Sequence, residues 1–209
     1  MTGSRGVIGT VLLAGLNEFN ITPLKLPDVD VRNYNQLLSH FDGVDIVIHL
    51  AKSRDNSEGD ASNADDLLMM SNVYKAAVAS NVRRVIMASS VHADNFYDWK
   101  GPEKLSVDRT PKPRSAYGSD KVAMEDLGKE YAKKGLEVVC VRFGGVNAMD
   151  TAPKDDYWED AVWLSHKDCA EAIRACLTKD KIPNNFVVFY AVSKNSNMVH
   201  DTGNPLGWK

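Results

Sequence analysis

The stretch Thr2-Gly-Ser-Arg-Gly-Val-Ile-Gly9, running straight into Thr10-Val-Leu-Leu-Ala-Gly15, decides how the chain is read. Gly3, Gly6 and Gly9 open a segment of apolar residues that reads as a helix. In such a pattern one glycine permits a tight turn. Another lets backbone approach a pyrophosphate, and a third lets helix and strand pack closely. The helix N-terminus then faces the phosphate charge. An acid about 20 residues on would hold an adenosine ribose, and Asp28 and Asp30 both lie there. The pattern belongs after a strand, but the sequence starts at Met1. The first strand of the sheet is therefore expected to be missing and the chain to be incomplete.

Strand-like and helix-like segments alternate from this point. Asp45-Ile-Val-Ile-His-Leu-Ala51 is a near-continuous apolar run and reads as a fully buried strand. Further strands are expected at 84–90, 136–143 and 185–193, with a short one at 20–26. Apolar spacing predicts helices at 33–41, 63–81, 116–134 and 165–178. In the last of these, Ser165 caps the start and Asp168 sits in the first turn. Long loops are expected at 92–115 and 144–162. The alternation predicts a doubly wound parallel sheet of Rossmann type, with helices on both faces. One domain over 1–209 is expected, with a small substrate region built from about 92–115, 144–165 and 180–209.

The 209 residues suffice for a full core, and a net charge of −3 does not suit nucleic acid as the main partner. The apolar run Gly6 to Leu16 is too short to span a bilayer and lacks a signal-peptide pattern, so no membrane association is expected. Cys140, Cys169 and Cys176 form no CxxC pair, which argues against a disulfide framework and for the reducing cytoplasm. Cys140 and His49 lie in apolar runs and read as core residues. His40, His166 and His200 show no ligand pattern, so no metal site is expected.

Tyr117-Gly-Ser-Asp-Lys121 places a phenol and an amine one helical turn apart. A neighbouring ammonium favours the phenolate, which could then take a proton from a substrate hydroxyl. Ser89 or Ser90, at the carboxyl end of a strand, stands where open α/β sheets bind ligands. A second such spacing, Tyr190 to Lys194, falls on a strand, where four residues span about 13 Å. Those two side chains cannot share a proton site.

Taken together, the glycine pattern, the acids at 28 and 30, the run ending at Ala51, Asn72, the Ala-Ser-Ser strand end and the Tyr-Lys pair resemble the extended short-chain dehydrogenase/reductases, the NAD-dependent epimerase/dehydratase family. Ser89-Ser-Val-His-Ala93, Trp163-Leu-Ser-His-Lys-Asp168 and Leu206-Gly-Trp-Lys209 bring the likeness nearest to uronate dehydrogenases and archaeal sugar and sugar-phosphate dehydrogenases. The resemblance implies oxidation of a cyclic sugar at its anomeric carbon, to a lactone, with NAD or NADP. It makes Tyr117 the general base and Lys121 its modulator and ribose ligand. Ser90 polarises the reacting hydroxyl, and Asn72 supports a proton-relay water. Gly3, Gly6 and Gly9 would cradle the pyrophosphate, with Arg5, Val7 and Ile8 beside the cofactor. Asp28, Asp30 and Val31 would lie by the adenosine, with Leu50, Ala51 and Lys52 also beside the cofactor. Val91, His92 and Trp158 would touch substrate. A homodimer through the helices at 63–81 and 116–134 is implied as well.

Two departures bear on substrate. Val91 stands where the subgroup usually has Asn. Asp155-Asp-Tyr-Trp-Glu-Asp160 has no Arg where uronate dehydrogenases carry one, and acids make a poor anion site. A neutral sugar is favoured. Arg5 would suit NADP, whereas Asp28 or Asp30 suits NAD, which is the preferred cofactor. The other readings are a nucleotide-sugar epimerase or dehydratase with retained NAD, and a non-catalytic dinucleotide sensor or scaffold.

Overall fold

The computed structural model describes residues 1–53, 64–97 and 99–208. Strands β1 (Ile46–His49), β2 (Arg84–Ser90), β3 (Glu137–Phe143) and β4 (Phe186–Ala191) lie side by side in chain order, all parallel. Ile46 pairs with Arg84, Arg84 with Glu137, and Val138 with Phe186. Parallel neighbours need crossovers, and helices supply them. Helices α1 (Val7–Gly15) and α2 (Tyr34–Phe41) precede β1, and α3 (Ala64–Ala79) joins β1 to β2. Helix α4 (Ala116–Ala132) joins β2 to β3, and α5 (Tyr157–Ala161) and α6 (His166–Thr178) join β3 to β4.

Alternation along each strand feeds two cores. Ile48, Ile86, Val139, Val141 and Phe189 pack with Leu12 of α1 and with Ala172 and Ile173 of α6. Val47, Val85, Met87, Val138 and Cys140 face the other way, toward Leu37 of α2, Met70 and Val73 of α3 and Met124 of α4. The sheet is thus covered on both faces, as the near-continuous apolar runs require. A third cluster, with Val91, Phe96, Leu105, Val162, Tyr190 and Val192 at its centre, lies beyond the carboxyl ends of the strands.

Where the glycine pattern lacks a preceding strand, Met1 and Thr2 themselves join the sheet. The Thr2 N–H donates to the Ile48 carbonyl at 2.9 Å, and the Leu24 N–H donates to the Met1 carbonyl at 2.7 Å. The strand expected at 20–26 is reduced to this single bridge at Leu24. Pro23 and Pro27 flank it, and neither has an N–H to extend a ladder. The loop expected at 144–162 contains α5, whose Asp156 cap accepts from the Trp158 and Glu159 N–H groups. Five residues are too few to show a helical period. Asn63, the expected start of the third helix, and Lys209 of the C-terminal segment lie outside the described residues.

Candidate active site

The turn between Thr2 and α1 is built around glycine. Gly3 has φ +67°, and a Cβ there would stand 2.5 Å from the Leu50 carbonyl carbon. A Cβ on Gly9 would meet the Gly3 carbonyl oxygen at 2.6 Å, so the helix can lie against the turn only without a side chain. Gly6 is different, because its Cβ would make only ordinary contact, 3.5 Å from the Gly3 oxygen. The protein does not demand glycine there, whereas a ligand pressed against the backbone would. Gly6 caps α1, and no side chain caps the helix, which leaves its first N–H groups to an anion.

A groove of about 660 Å³ opens over this turn. Of the residues expected beside a cofactor, Gly3, Arg5, Gly6, Asp30, Val31, Leu50, Ala51 and Lys52 line it. Val7, Ile8 and Gly9 lie in the first turn of α1 and do not line it. Asp28 is exposed and is not part of the lining either. Ser4, Leu24, Lys25, Leu26, Pro27, Val29, Arg32, Ser53 and Met69 complete the walls. Sequence reasoning missed these residues, since they carry no spacing of their own. The Asp30 carboxylate is gripped by Arg32, with Nη2 at 2.9 Å, and this guanidinium holds it below the usual carboxylate range. Arg32 also reaches Asp65 at 3.3 Å. Arg5 donates to the Leu26 carbonyl at 3.1 Å.

At the other end of the site, α4 is drawn close to the turn after β2. A Cβ on Gly118 would lie 2.1 Å from the His92 carbonyl oxygen, so only glycine allows this approach. The approach brings the Tyr117 phenol beside Ser90, the last residue of β2, whose hydroxyl favours its ionisation. The Lys121 ammonium donates to the Ala88 carbonyl at 3.0 Å and lies 5.5 Å from the centre of the Tyr117 ring. Burial pushes Lys121 down to about 8. Burial also raises the Tyr117 phenol above its ordinary range, with Ser90 pulling it down and Asp66 adding to the rise. Burial is thus the largest influence on the phenol, and the Lys121 ammonium is turned toward Ala88.

The Asn72 amide donates to the Arg32 carbonyl at 2.8 Å, which ties α3 to the wall of the groove at 31–32. Val91 is 2% exposed and packs into the third cluster, because an apolar side chain after Ser90 turns inward. His92 stays at the surface of the site, its ring 5.9 Å from Tyr117 and 6.1 Å from Tyr97. Trp158 packs against Tyr97 at 6.1 Å. Ser89 turns away from Ser90 and donates to Glu125, which is itself clamped by Arg142 at 2.8 and 2.9 Å. His49 accepts a place beside Thr2 Oγ1 at 2.8 Å, and His166 Nε2 is 2.7 Å from the Asn147 carbonyl, so both are structural. Among the described residues no cluster of His, Cys, Asp and Glu is arranged to hold a metal.

Comparison with known proteins fits this geometry. Residues 1–149 match the NAD dependent epimerase/dehydratase family. An L-arabinose 1-dehydrogenase (NAD(P)(+)) of Haloferax volcanii is 31% identical over 223 residues, covering 93% of this chain and 87% of that protein. A uronate dehydrogenase of Pseudomonas syringae pv. tomato is 26% identical, covering 96% of this chain and 76% of that protein. The crystal structure of uronate dehydrogenase from Agrobacterium tumefaciens superposes with a TM-score of 0.82 at 23% identity, over 100% of this chain and 82% of that one, which shows a shared fold. With the family match spanning most of the chain and the glycine turn, serine and tyrosine in place, the chain belongs to the NAD dependent epimerase/dehydratase family.

Proposed function

We propose that this protein is an NAD(P)-dependent dehydrogenase that oxidises a sugar or sugar derivative at its anomeric carbon, giving the lactone. The observation that carries the reading is Tyr117 standing beside Ser90 at the carboxyl end of β2, with the Lys121 ammonium one turn along α4 and 5.5 Å from the Tyr117 ring centre. The activity named for the Haloferax relative supports it.

Gly3, Gly6 and the first turn of α1 would hold the cofactor pyrophosphate, and Asp30, Val31 and Arg32 its adenosine end. Lys121 would hold the nicotinamide ribose. When bound, the nicotinamide supplies a hydride acceptor. Ser90 holds the oxygen of the reacting hydroxyl. Tyr117, as phenolate, takes the hydroxyl proton while the carbon–hydrogen electron pair departs and the carbonyl forms. His92, Tyr97 and Trp158 give the sugar an aromatic wall. The acids at 155–160 favour a neutral sugar over a uronate. Asn72 acts on the groove through the 31–32 backbone.

The chain works as a single domain whose segments 92–115, 144–165 and 180–209 form the substrate region. Leu68 and Val78 of α3 are exposed, at 46% and 43%, and support a homodimer through α3 and α4. Among the described residues no helix is long and apolar enough to cross a membrane.

The test is a panel of aldoses, uronates and sugar phosphates with NAD+ and NADP+, read by nicotinamide absorbance. A neutral aldose is expected to be turned over. Tightly retained NAD with no net reduction on any substrate would contradict the dehydrogenase reading and point to an epimerase.

A further inference from the structure

Lys52 follows β1 by three residues and was expected only beside the cofactor. It lines the groove, but its ammonium extends over the face of the Tyr117 ring, 4.6 Å from the ring centre. That is closer than Lys121, at 5.5 Å. A cation over a phenol face is attracted to the ring and still more to the ring's anion. We infer that Lys52 is a positioning residue for the proton transfer, a second cation that acts through Tyr117 by stabilising its phenolate. The inference rests on Tyr117 being the base.

The two lysines differ in a way that makes the second one useful. Lys121 is buried, and burial pushes it down to about 8, so it loses its charge as the medium becomes alkaline. Lys52 is exposed, and water solvates its ammonium. The other groups that bear on the phenol come from three elements. Asp66 on α3 opposes ionisation, Ser90 at the end of β2 favours it, and His92 faces the ring edge from the turn that follows. On α4, Asp120 acts on Lys121. Asp66 feels both lysines, so the pair of ammoniums also offsets the Asp66 carboxylate, which works against the phenolate.

Lys52→Met and Lys52→Arg separate charge from shape, since Arg stays protonated throughout the range. Two readouts follow Tyr117 itself. The first is its ultraviolet titration, obtained by subtracting the spectrum of Tyr117→Phe. The second is the rising limb of kcat/KM against pH with the best substrate. In both, Tyr117 is expected to ionise about one pH unit lower in Lys52→Arg than in Lys52→Met, equivalent to about tenfold in turnover near neutrality. Dinucleotide affinity, measured by direct titration, is expected to stay within about threefold, as an effect on the base alone requires. Coincident titrations in the two variants overturn the inference. So does an unmoved titration with dinucleotide affinity weakened about tenfold, which would make Lys52 a pyrophosphate ligand. Full turnover in Tyr117→Phe would overturn the base assignment itself, and an inactive Tyr117→Phe with unmoved Lys52 variants would overturn Lys52 alone.

Discussion

Lys121 fastens α4 to the sheet through the Ala88 carbonyl, 3.0 Å from its ammonium and two residues before Ser90. That one bond sets where Tyr117 stands, because Tyr117 lies one turn earlier on the same helix. It also buries a charge. A lysine whose folded value is about 8, against 10.5 when exposed, is bound less readily by protons in the folded state than in the unfolded one. Stability therefore rises with pH between about 8 and 10.5, and below 8 the full cost, on the order of 3 kcal/mol, is present. Lys121→Met is expected to be more stable than the parent at pH 7. The gap should shrink as pH climbs toward 10, as chemical denaturation at a series of pH values would show. An unchanging gap would place the lysine's cost elsewhere.

The glycines of the first turn are not equivalent. Gly3→Ala forces a Cβ into the Leu50 backbone at positive φ, and Gly9→Ala forces one into the turn. Each is expected to lower stability by about 1–3 kcal/mol, as overpacking does. Gly6→Ala meets no close atom and is expected to fold within about 1 kcal/mol of the parent. Its dinucleotide affinity should nevertheless fall by about tenfold or more, because the new methyl stands where the pyrophosphate approaches. Thermal melts beside dinucleotide titrations of the three variants check this pattern.

Behind Ser90 lies a second buried arrangement that the chemistry does not use directly. Arg142 and Glu125, each 2% exposed, form a bidentate pair, with Ser89 donating to the carboxylate and Arg142 to the Tyr190 hydroxyl at 2.9 Å. Truncating one partner leaves a buried charge uncompensated. Glu125→Ala is expected to cost about 3–5 kcal/mol, read as a shift in the urea midpoint with little change in slope. Replacing both residues with apolar ones should recover much of that loss.

The strands at 84–90 and 136–143 were legible because two-sided burial leaves a continuous apolar run. The helix at 165–178 was legible because Ser165 announces its start. The Gly, Ser, Tyr and Lys positions of the site could be read because their chemistry fixes their spacing. Three things could not be read. The strand at 20–26 failed because two prolines leave it one usable bridge. Val91 reads as site-facing in sequence, but an apolar residue after a strand end turns inward. Arg32, which pairs with Asp30 on the wall of the groove, and Lys52, which leans on Tyr117, depend on where long side chains reach, and no periodicity encodes that.

Tyr117→Phe keeps the ring, its packing and its contact with His92 while removing one oxygen. Turnover of the best sugar with NAD+ or NADP+ and the dissociation constant of the dinucleotide, measured on the same preparation, separate chemistry from binding. Turnover is expected to fall by at least about 100-fold while the dissociation constant stays within a few-fold. Turnover close to that of the parent would show that the proton leaves by another route, and the account of this site would be wrong.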